Sequence, residues 1–211
     1  MPKGIELNQL IEQLVAATDK DDILIAYKAW ASQYDEDLKR KGYIAPIISV
    51  DLLKVHIQSA GTTVYDAGCG TGKVGALLRE LGYTNITGAD FSEDMLKLAK
   101  LSGHYSELLN ADFTTPIKQA DNSFSAAISV GVYSSLLDGI FIQELVRIVK
   151  PGGVVVLSCR PVHYEEHAKK DIDRLVDAGL IHVSSRSLDT YMSDGNVKAW
   201  YLALTVLPNK V

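Results

Sequence analysis

The 211-residue chain has only two cysteines, Cys69 and Cys159, and six prolines. Nothing marks the cysteines as a bridge, so a disulfide-built scaffold is excluded and a reducing compartment is expected. No metal site is read. Basic charge is scarce too: 21 Lys and Arg stand against 26 Asp and Glu, a formal net charge of −5, and the cations form no stripe. Phosphate contacts demand clustered positive charge, so a nucleic-acid partner is not expected. Long apolar runs are also missing. The longest, near Val154–Leu157, is far short of the roughly 20 residues that a membrane helix needs. The opening Met-Pro-Lys-Gly-Ile-Glu lacks the apolar stretch of a signal peptide. A cytoplasmic protein without membrane contact is the expectation.

What is present is a balanced globular composition, 47% hydrophobic and 22% charged, at a length that suits one compact domain. Its sharpest feature is Val64-Tyr-Asp-Ala-Gly-Cys-Gly-Thr-Gly-Lys-Val-Gly75, which reads as a strand, a glycine-rich turn and the start of a helix. Glycines there let backbone N–H groups approach a ligand, because no Cβ intervenes. Asp66, just before them, sets the ligand's charge: a pyrophosphate is repelled, an ammonium or sulfonium is held. Gly70-Thr-Gly-Lys-Val-Gly75 does satisfy G-x-G-x-x-G, with Asp90 lying 20 residues beyond Gly70, as a dinucleotide site requires. Asp66 would crowd those phosphates. A phosphate-binding loop fails on spacing, since Gly68 to Lys73 is one residue short and Val74 offers no hydroxyl.

Further motifs follow in order: Ile86-Thr-Gly-Ala-Asp90, Asp112-Phe113 and Lys150-Pro-Gly-Gly153. Together with Asp66-Ala-Gly-Cys-Gly-Thr-Gly72, they make the chain resemble the class I S-adenosylmethionine-dependent methyltransferases from about residue 62 to 160. The resemblance implies that Asp66, Gly68, Cys69, Gly70 and Gly72 cradle S-adenosylmethionine. It places Asp90 on the ribose hydroxyls, where one carboxylate can accept two hydrogen bonds, and Asp112 with Phe113 at the adenine. Phe91 and Ser129, beside these motifs, complete the candidate cofactor set. Trp30-Ala-Ser-Gln-Tyr-Asp35 and Gly42-Tyr-Ile-Ala-Pro46 resemble the entry of small-molecule methyltransferases, most nearly those named for the Williams–Beuren chromosomal region. In these an N-terminal tyrosine closes over the cofactor's methionine end. Tyr34 is that residue here, and an aromatic face suits a sulfonium; it also lies on an apolar helix face.

Helices are expected over 5–17, from Asp21-Asp22 to Gly42, and from Pro46 to about 59. Ile23, Tyr27, Trp30, Tyr34 and Leu38 share one face of the second. Residues 1–61 thus read as a helical cap or lid, and 62–211 as the core. There, strands at 63–67, 86–90, 105–109, 124–130 and 153–159 alternate with helices near 73–81, 92–102, 138–149 and 164–178. Segments 180–190 and 197–207 flank a turn at Ser193-Asp-Gly-Asn196. The expected fold is α/β and Rossmann-like: a seven-stranded, mostly parallel sheet with a C-terminal antiparallel hairpin and an N-terminal helical cap.

Ligands of open α/β sheets bind beyond the strands' carboxyl ends. The loops Ser129-Val-Gly-Val-Tyr133 and Cys159-Arg-Pro-Val-His-Tyr164 therefore border the methyl acceptor, with Tyr133, Arg160 and His163 as candidate catalytic residues. Methyl transfer is an in-line displacement in which the cofactor brings the reactive group and the protein positions it. A hydroxyl or ammonium acceptor needs a base, a role open to His163. A carboxylate needs none, and Arg160 would anchor it through its planar fork. The expected activity is methyl transfer to a small molecule. The alternatives are a non-catalytic binder of the same cofactor and an NAD-dependent oxidoreductase.

Overall fold

Short apolar strands that alternate with helices must bury both faces of a parallel sheet, and the computed structural model, which describes residues 19–57, 59, 61–137 and 139–208, shows this. Strands β1 (Val64–Ala67), β2 (Ile86–Asp90), β3 (Glu107–Asn110), β4 (Phe124–Val130), β5 (Val149–Cys159), β6 (Ile181–Thr190) and β7 (Lys198–Val206) form one sheet. Its order is β3-β2-β1-β4-β5-β7-β6. The first five strands pair in parallel, and β7 runs antiparallel to both β5 and β6. The expected architecture is observed. Strand order reverses between β1 and β4, so their loops part and open a crevice at the carboxyl end.

Helices α1 (Lys20–Trp30), α2 (Tyr34–Arg40) and α3 (Ala45–His56) precede the sheet. After β1 come α4 (Lys73–Glu80), α5 (Glu93–Ser102), α6 (Phe141–Ile148) and α7 (Lys169–Asp177). Ser92 caps α5 by accepting from the Met95 N–H, and Gly103 ends it in the left-handed conformation. On one face of the sheet Phe141, Ile142, Leu145 and Ile148 of α6 meet Tyr65, Ala127 and Val155. On the other, Val50 and Leu53 of α3 and Val74 and Leu78 of α4 meet Val64, Ile86 and Ile128.

Several boundaries differ from expectation, each for a local reason. The third strand begins at Glu107 rather than 105, because Tyr105 turns beneath the glycine loop to bond Asp66. The fifth strand reaches back to Val149, which pairs with Phe124 across an irregularity in the ladder. The helix expected over 138–149 starts only at Phe141, after a 3₁₀ turn at Ser135–Leu137. That expected over 164–178 starts at Pro161, where proline suits a first turn, and passes through a π-helical turn at Tyr164–Ala168. The helix expected from Asp21 to Gly42 is broken at 31–33. There the Gln33 N–H bonds the Trp30 carbonyl, and the Trp30 indole donates to Asp37 Oδ2 at 2.9 Å, which ties α2 to the end of α1. The helix expected over 5–17 lies outside the described residues.

Leu145 is fully buried between α6 and the sheet, whereas Leu101 on α5 is 84% exposed. Leu145→Ala is expected to lower unfolding free energy by about 2–5 kcal/mol, and Leu101→Ala by under about 0.5 kcal/mol. Urea unfolding of both variants checks the contrast; equal losses would contradict this packing.

Candidate functional site

The glycine turn leaves β1 stitched to β2: the N–H groups of Gly68 and Cys69 donate to the Ala89 carbonyl at 2.7 and 3.0 Å. Gly68, Gly70 and Gly72 have φ of +77°, +54° and +102°, values that glycine alone adopts readily. Gly70 donates its N–H to Asp90 Oδ2 at 2.9 Å. No atom lies within 4 Å of where a Gly70 Cβ would stand, so the turn faces open space there. Asp90 Oδ1 accepts from the Ser92 N–H at 2.9 Å. Burial raises the Asp90 pKa, and these backbone donors restrain the rise. Each carboxylate oxygen keeps a further lone pair for a ligand hydroxyl.

Behind the turn stands Tyr105, which sequence reasoning placed in a strand and not in the site. Its O–H donates to Asp66 Oδ2 at 2.7 Å, and its oxygen accepts from the Gly75 N–H at 3.2 Å. Its ring passes within 2.5 Å of where a Gly75 Cβ would be, and 2.7 Å for Gly88. The last glycine of G-x-G-x-x-G therefore makes room for the Tyr105 ring. Asp66 is buried, and its Oδ1 has no hydrogen-bond partner. Burial pushes this carboxyl up to about 7, with the Tyr105 hydrogen bond opposing and the Asp90 charge adding. The buried Asp66, with one unanswered oxygen, fits a ligand that carries positive charge, as S-adenosylmethionine does, and opposes a pyrophosphate, while Asp90 suits a ribose.

A crevice with a cavity volume of about 180 Å³, open to solvent on one side, lies beyond the turn. Of the residues singled out in the sequence, Tyr34, Gly68, Gly70, Asp90, Phe91, Phe113, Tyr133, Arg160 and His163 line it together. Asp66, Cys69, Gly72, Asp112 and Ser129 are not on its wall. Asp66 lies under the turn. Cys69 is buried, which holds its thiol in the protonated, unreactive form. Gly72 packs against Ser102 and Tyr105. Asp112 pairs with Lys20 at 2.6 Å and accepts from the Thr114 N–H, while its neighbour Phe113 packs on Phe141 at 5.2 Å. The Ser129 hydroxyl is buried without a partner.

Aromatic rings from the cap and from the segment after β6 form one wall of the crevice. Trp30 and Tyr34 meet edge-on at 4.6 Å between centroids, Tyr27 lies 6.1 Å from Tyr34, and Tyr43 lies 5.0 Å from Tyr191. The helical spacing of Tyr27, Trp30 and Tyr34 marked a shared face, yet nothing local in the sequence marks Tyr191 or pairs it with Tyr43. A Cβ on Gly131 would come within 2.5 Å of the Tyr191 hydroxyl, so the absence of one lets this pair close down. Asp35 fastens α2 to the glycine turn: it accepts from Thr71 Oγ1 at 2.8 Å and pairs with Lys73 at 2.9 Å.

At the far end, the Tyr133 O–H donates to Asp171 Oδ2 at 3.0 Å while Tyr133 itself lines the crevice. His163 is buried, and its pKa is lowered by that burial and by nearby His167 and Arg160. It is therefore a neutral imidazole near pH 7, able to accept a proton.

The raised Asp66 pKa has a measurable effect. Unfolded, this carboxyl ionises near 3.8; folded, it keeps its proton to about 7. The folded state binds the extra proton, so its stability falls as pH rises through that window. Without cofactor, the wild-type melting temperature is expected to drop relative to Asp66→Asn from about pH 4.5 to about pH 8. Parallel curves would show Asp66 ionised throughout.

Residues 65–157 match the family model of the methyltransferase domain. The chain is 34% identical over 165 residues to methyltransferase-like protein 27 of Homo sapiens, covering 73% of this chain and 66% of that protein. It is 34% identical over 143 residues to malonyl-[acyl-carrier protein] O-methyltransferase of Buchnera aphidicola, covering 66% and 55%. The chain thus spans somewhat more than half the length of these two relatives. Among solved structures, 1,6-didemethyltoxoflavin-N1-methyltransferase of Burkholderia thailandensis superposes with a TM-score of 0.65 at 14% identity, over 92% of each chain. Magnesium protoporphyrin IX methyltransferase of Synechocystis, solved with bound S-adenosylmethionine, gives 0.59 at 16% identity, over 95% of this chain and 91% of that one. The sequence match runs from β1 to β5, across the glycine turn and the strand ends that form the crevice, and the chain belongs to the class I S-adenosylmethionine-dependent methyltransferase family.

Proposed function

We propose that this chain transfers a methyl group from S-adenosylmethionine to a small-molecule acceptor bound in the same crevice. The observation that carries this reading is continuity: one cavity wall holds Gly68, Gly70 and Asp90 at one end and Tyr133, Arg160 and His163 at the other. When bound, the cofactor would supply a sulfonium methyl for in-line displacement, with its thioether sulfur as the leaving group. The glycine turn and Asp90 would hold it by backbone approach and ribose hydrogen bonds, with Phe91 and Phe113 supplying apolar wall. Asp66 acts from behind, through the shape and charge of the turn. Tyr34, with Tyr27 and Trp30, shields the reacting centre from water and presents aromatic faces that suit a cation. His163, neutral near pH 7, takes the proton of an acceptor that must lose one.

The enclosed crevice supports a small acceptor, as does the lack of a basic stripe, which disfavours nucleic acid. Relatives named demethylmenaquinone methyltransferase and 2-methyl-6-phytyl-1,4-hydroquinone methyltransferase point the same way. The described part of the helical cap, residues 19–57, would serve as the lid of this crevice. Cytoplasmic residence rests on two buried, unbridged cysteines. Among the described residues, no helix is long and apolar enough to cross a membrane. A second reading is cofactor binding without methyl transfer; the same fold serves a [4+2]-cyclase, SpnF, with a TM-score of 0.59 at 16% identity.

Calorimetry should show S-adenosylmethionine binding and no NAD binding; the reverse would end the methyltransferase reading. Gly70→Val is expected to abolish cofactor binding in a folded chain, since its Cβ meets no protein atom but enters the ligand's space. Asp90→Ala should weaken binding by about 1.5–3 kcal/mol, the scale of hydrogen bonds to a charged group. Methyl-labelled cofactor with a metabolite extract then tests turnover: label on small molecules supports the proposal, and label mainly on protein or RNA contradicts it. Binding with no labelled product from the extract would favour the second reading.

A further inference from the structure

The acceptor end of the crevice contains a strong cation that no described residue of the protein answers. Arg160 lines the crevice just after β5, and its Nε is shut off from solvent without a hydrogen-bond partner. The other arginines are all engaged. Arg40 pairs with Asp37, Arg147 with Glu144 and Asp121, and Arg174 with Asp171. Arg79 donates to the His104 carbonyl and Arg186 to the Tyr164 hydroxyl. Arg160 instead has its guanidinium carbon 5.6 Å from the centroid of Tyr191. That contact favours the charge but satisfies none of the planar N–H donors. Nε, closed to solvent, is closed to a ligand as well, but no described residue supplies the guanidinium with an anion, so this crevice wall suits an anion brought by a ligand.

The surroundings define that acceptor's chemistry. Among the described residues lining the crevice, the one carboxylate is Asp90, whose oxygens already accept from Gly70 and Ser92 at the opposite end. Ser158 also lines the crevice; its Oγ accepts from the Gly131 N–H at 3.0 Å, which leaves its own proton to donate. A guanidinium fork and a hydroxyl donor on the wall of one cavity match a planar carboxylate. Tyr43 and Tyr191 supply an apolar wall alongside. We infer that the methyl acceptor is a small carboxylate, its anionic group seated on Arg160 and Ser158 and its apolar body against Tyr43 and Tyr191. The inference rests on the methyltransferase reading of the crevice. S-adenosylmethionine has a carboxylate of its own, so the test includes the affinity of its product analogue.

The test compares benzoate and phenylacetate with their neutral amides as ligands of the full chain, saturated with S-adenosylhomocysteine, at fixed ionic strength. Wild type is expected to bind the acids about tenfold or more tightly than the amides, as charge-assisted hydrogen bonds imply. Arg160→Gln should abolish that preference, and Arg160→Lys, which keeps the charge without the fork, should retain part of it. S-adenosylhomocysteine affinity should stay within about twofold in both variants. Melting curves confirm that each is folded, and Arg160→Lys decides alone if Arg160→Gln is not. Equal binding of acid and amide by wild type overturns the inference, as does a preference that survives Arg160→Gln. So does a tenfold loss of S-adenosylhomocysteine affinity in that variant, which would assign Arg160 to the cofactor's carboxylate. Repeating the acid–amide comparison without S-adenosylhomocysteine separates the two readings. If the cofactor analogue fails to bind, the methyltransferase proposal fails, while the acid–amide ratio still judges the anion site.

Discussion

Two carboxylates buried at the ends of neighbouring strands constrain the rest of this structure. Asp66 closes β1 and Asp90 closes β2, both nearly without solvent exposure. Removing such groups from water is unfavourable unless donors replace it. The glycine turn supplies them for Asp90 through the N–H of Gly70, and the start of α5 adds that of Ser92. Asp66 relies on one phenol, Tyr105, and retains its proton to about 7. Much local sequence follows from this. Gly75 and Gly88 must lack side chains because the Tyr105 ring fills that space, and β3 begins late because Tyr105 is used elsewhere. Of the two, Asp66 bears on the choice of ligand, since once ionised it favours a cation and opposes a pyrophosphate, whereas Asp90 suits a ribose in either case.

The cover over the crevice depends on aromatic surface more than on charge. Trp30, Leu38 and Met192 form a small core that joins α1 and α2 to the segment after β6, with Tyr34, Tyr43 and Tyr191 packed against it. The backbone binds the same parts: the Ile44 N–H donates to the Tyr191 carbonyl and the Ser193 N–H to the Gly42 carbonyl. The break between α1 and α2 belongs to this design. A continuous helix would carry Asp35 away from Thr71 and Lys73, and the indole of Trp30 away from Asp37.

The fold was legible in the sequence because its signals are local. Apolar strands, the glycine turn and the Ser193–Asn196 turn each report their structure within a few residues, and the sheet follows from their order. At the site, the cofactor end was more legible than the cover. Gly68, Gly70 and Asp90 announce themselves through motif spacing, whereas Tyr105 does its work across the turn from a position that merely resembled strand. Tyr191 meets Tyr43 across 148 residues, and no periodicity encodes such a pairing. Asp112 stood at the right motif position, yet its carboxylate pairs with Lys20, a long-range partner that sequence spacing cannot reveal. The broken cap helix was missed for the same reason: its apolar spacing continues through 31–33 although the backbone does not.

The electrostatics of the crevice are divided end from end. Buried acids gather under the glycine turn, while Arg160 and a neutral His163 stand at the other extreme, with uncharged aromatic rings between them. In the proposed reaction little chemistry is asked of side chains, and the barrier falls chiefly through alignment of donor and acceptor. Opposite charge at the two ends serves alignment, since each ligand is favoured at one end and opposed at the other. The tether of the cover adds little to this. Asp35 and Lys73 are both substantially exposed, and an ion pair of that kind is worth at most about 1 kcal/mol. What holds the cover is packing around Trp30, so the aromatic wall that shields the crevice is also the contact that keeps it closed.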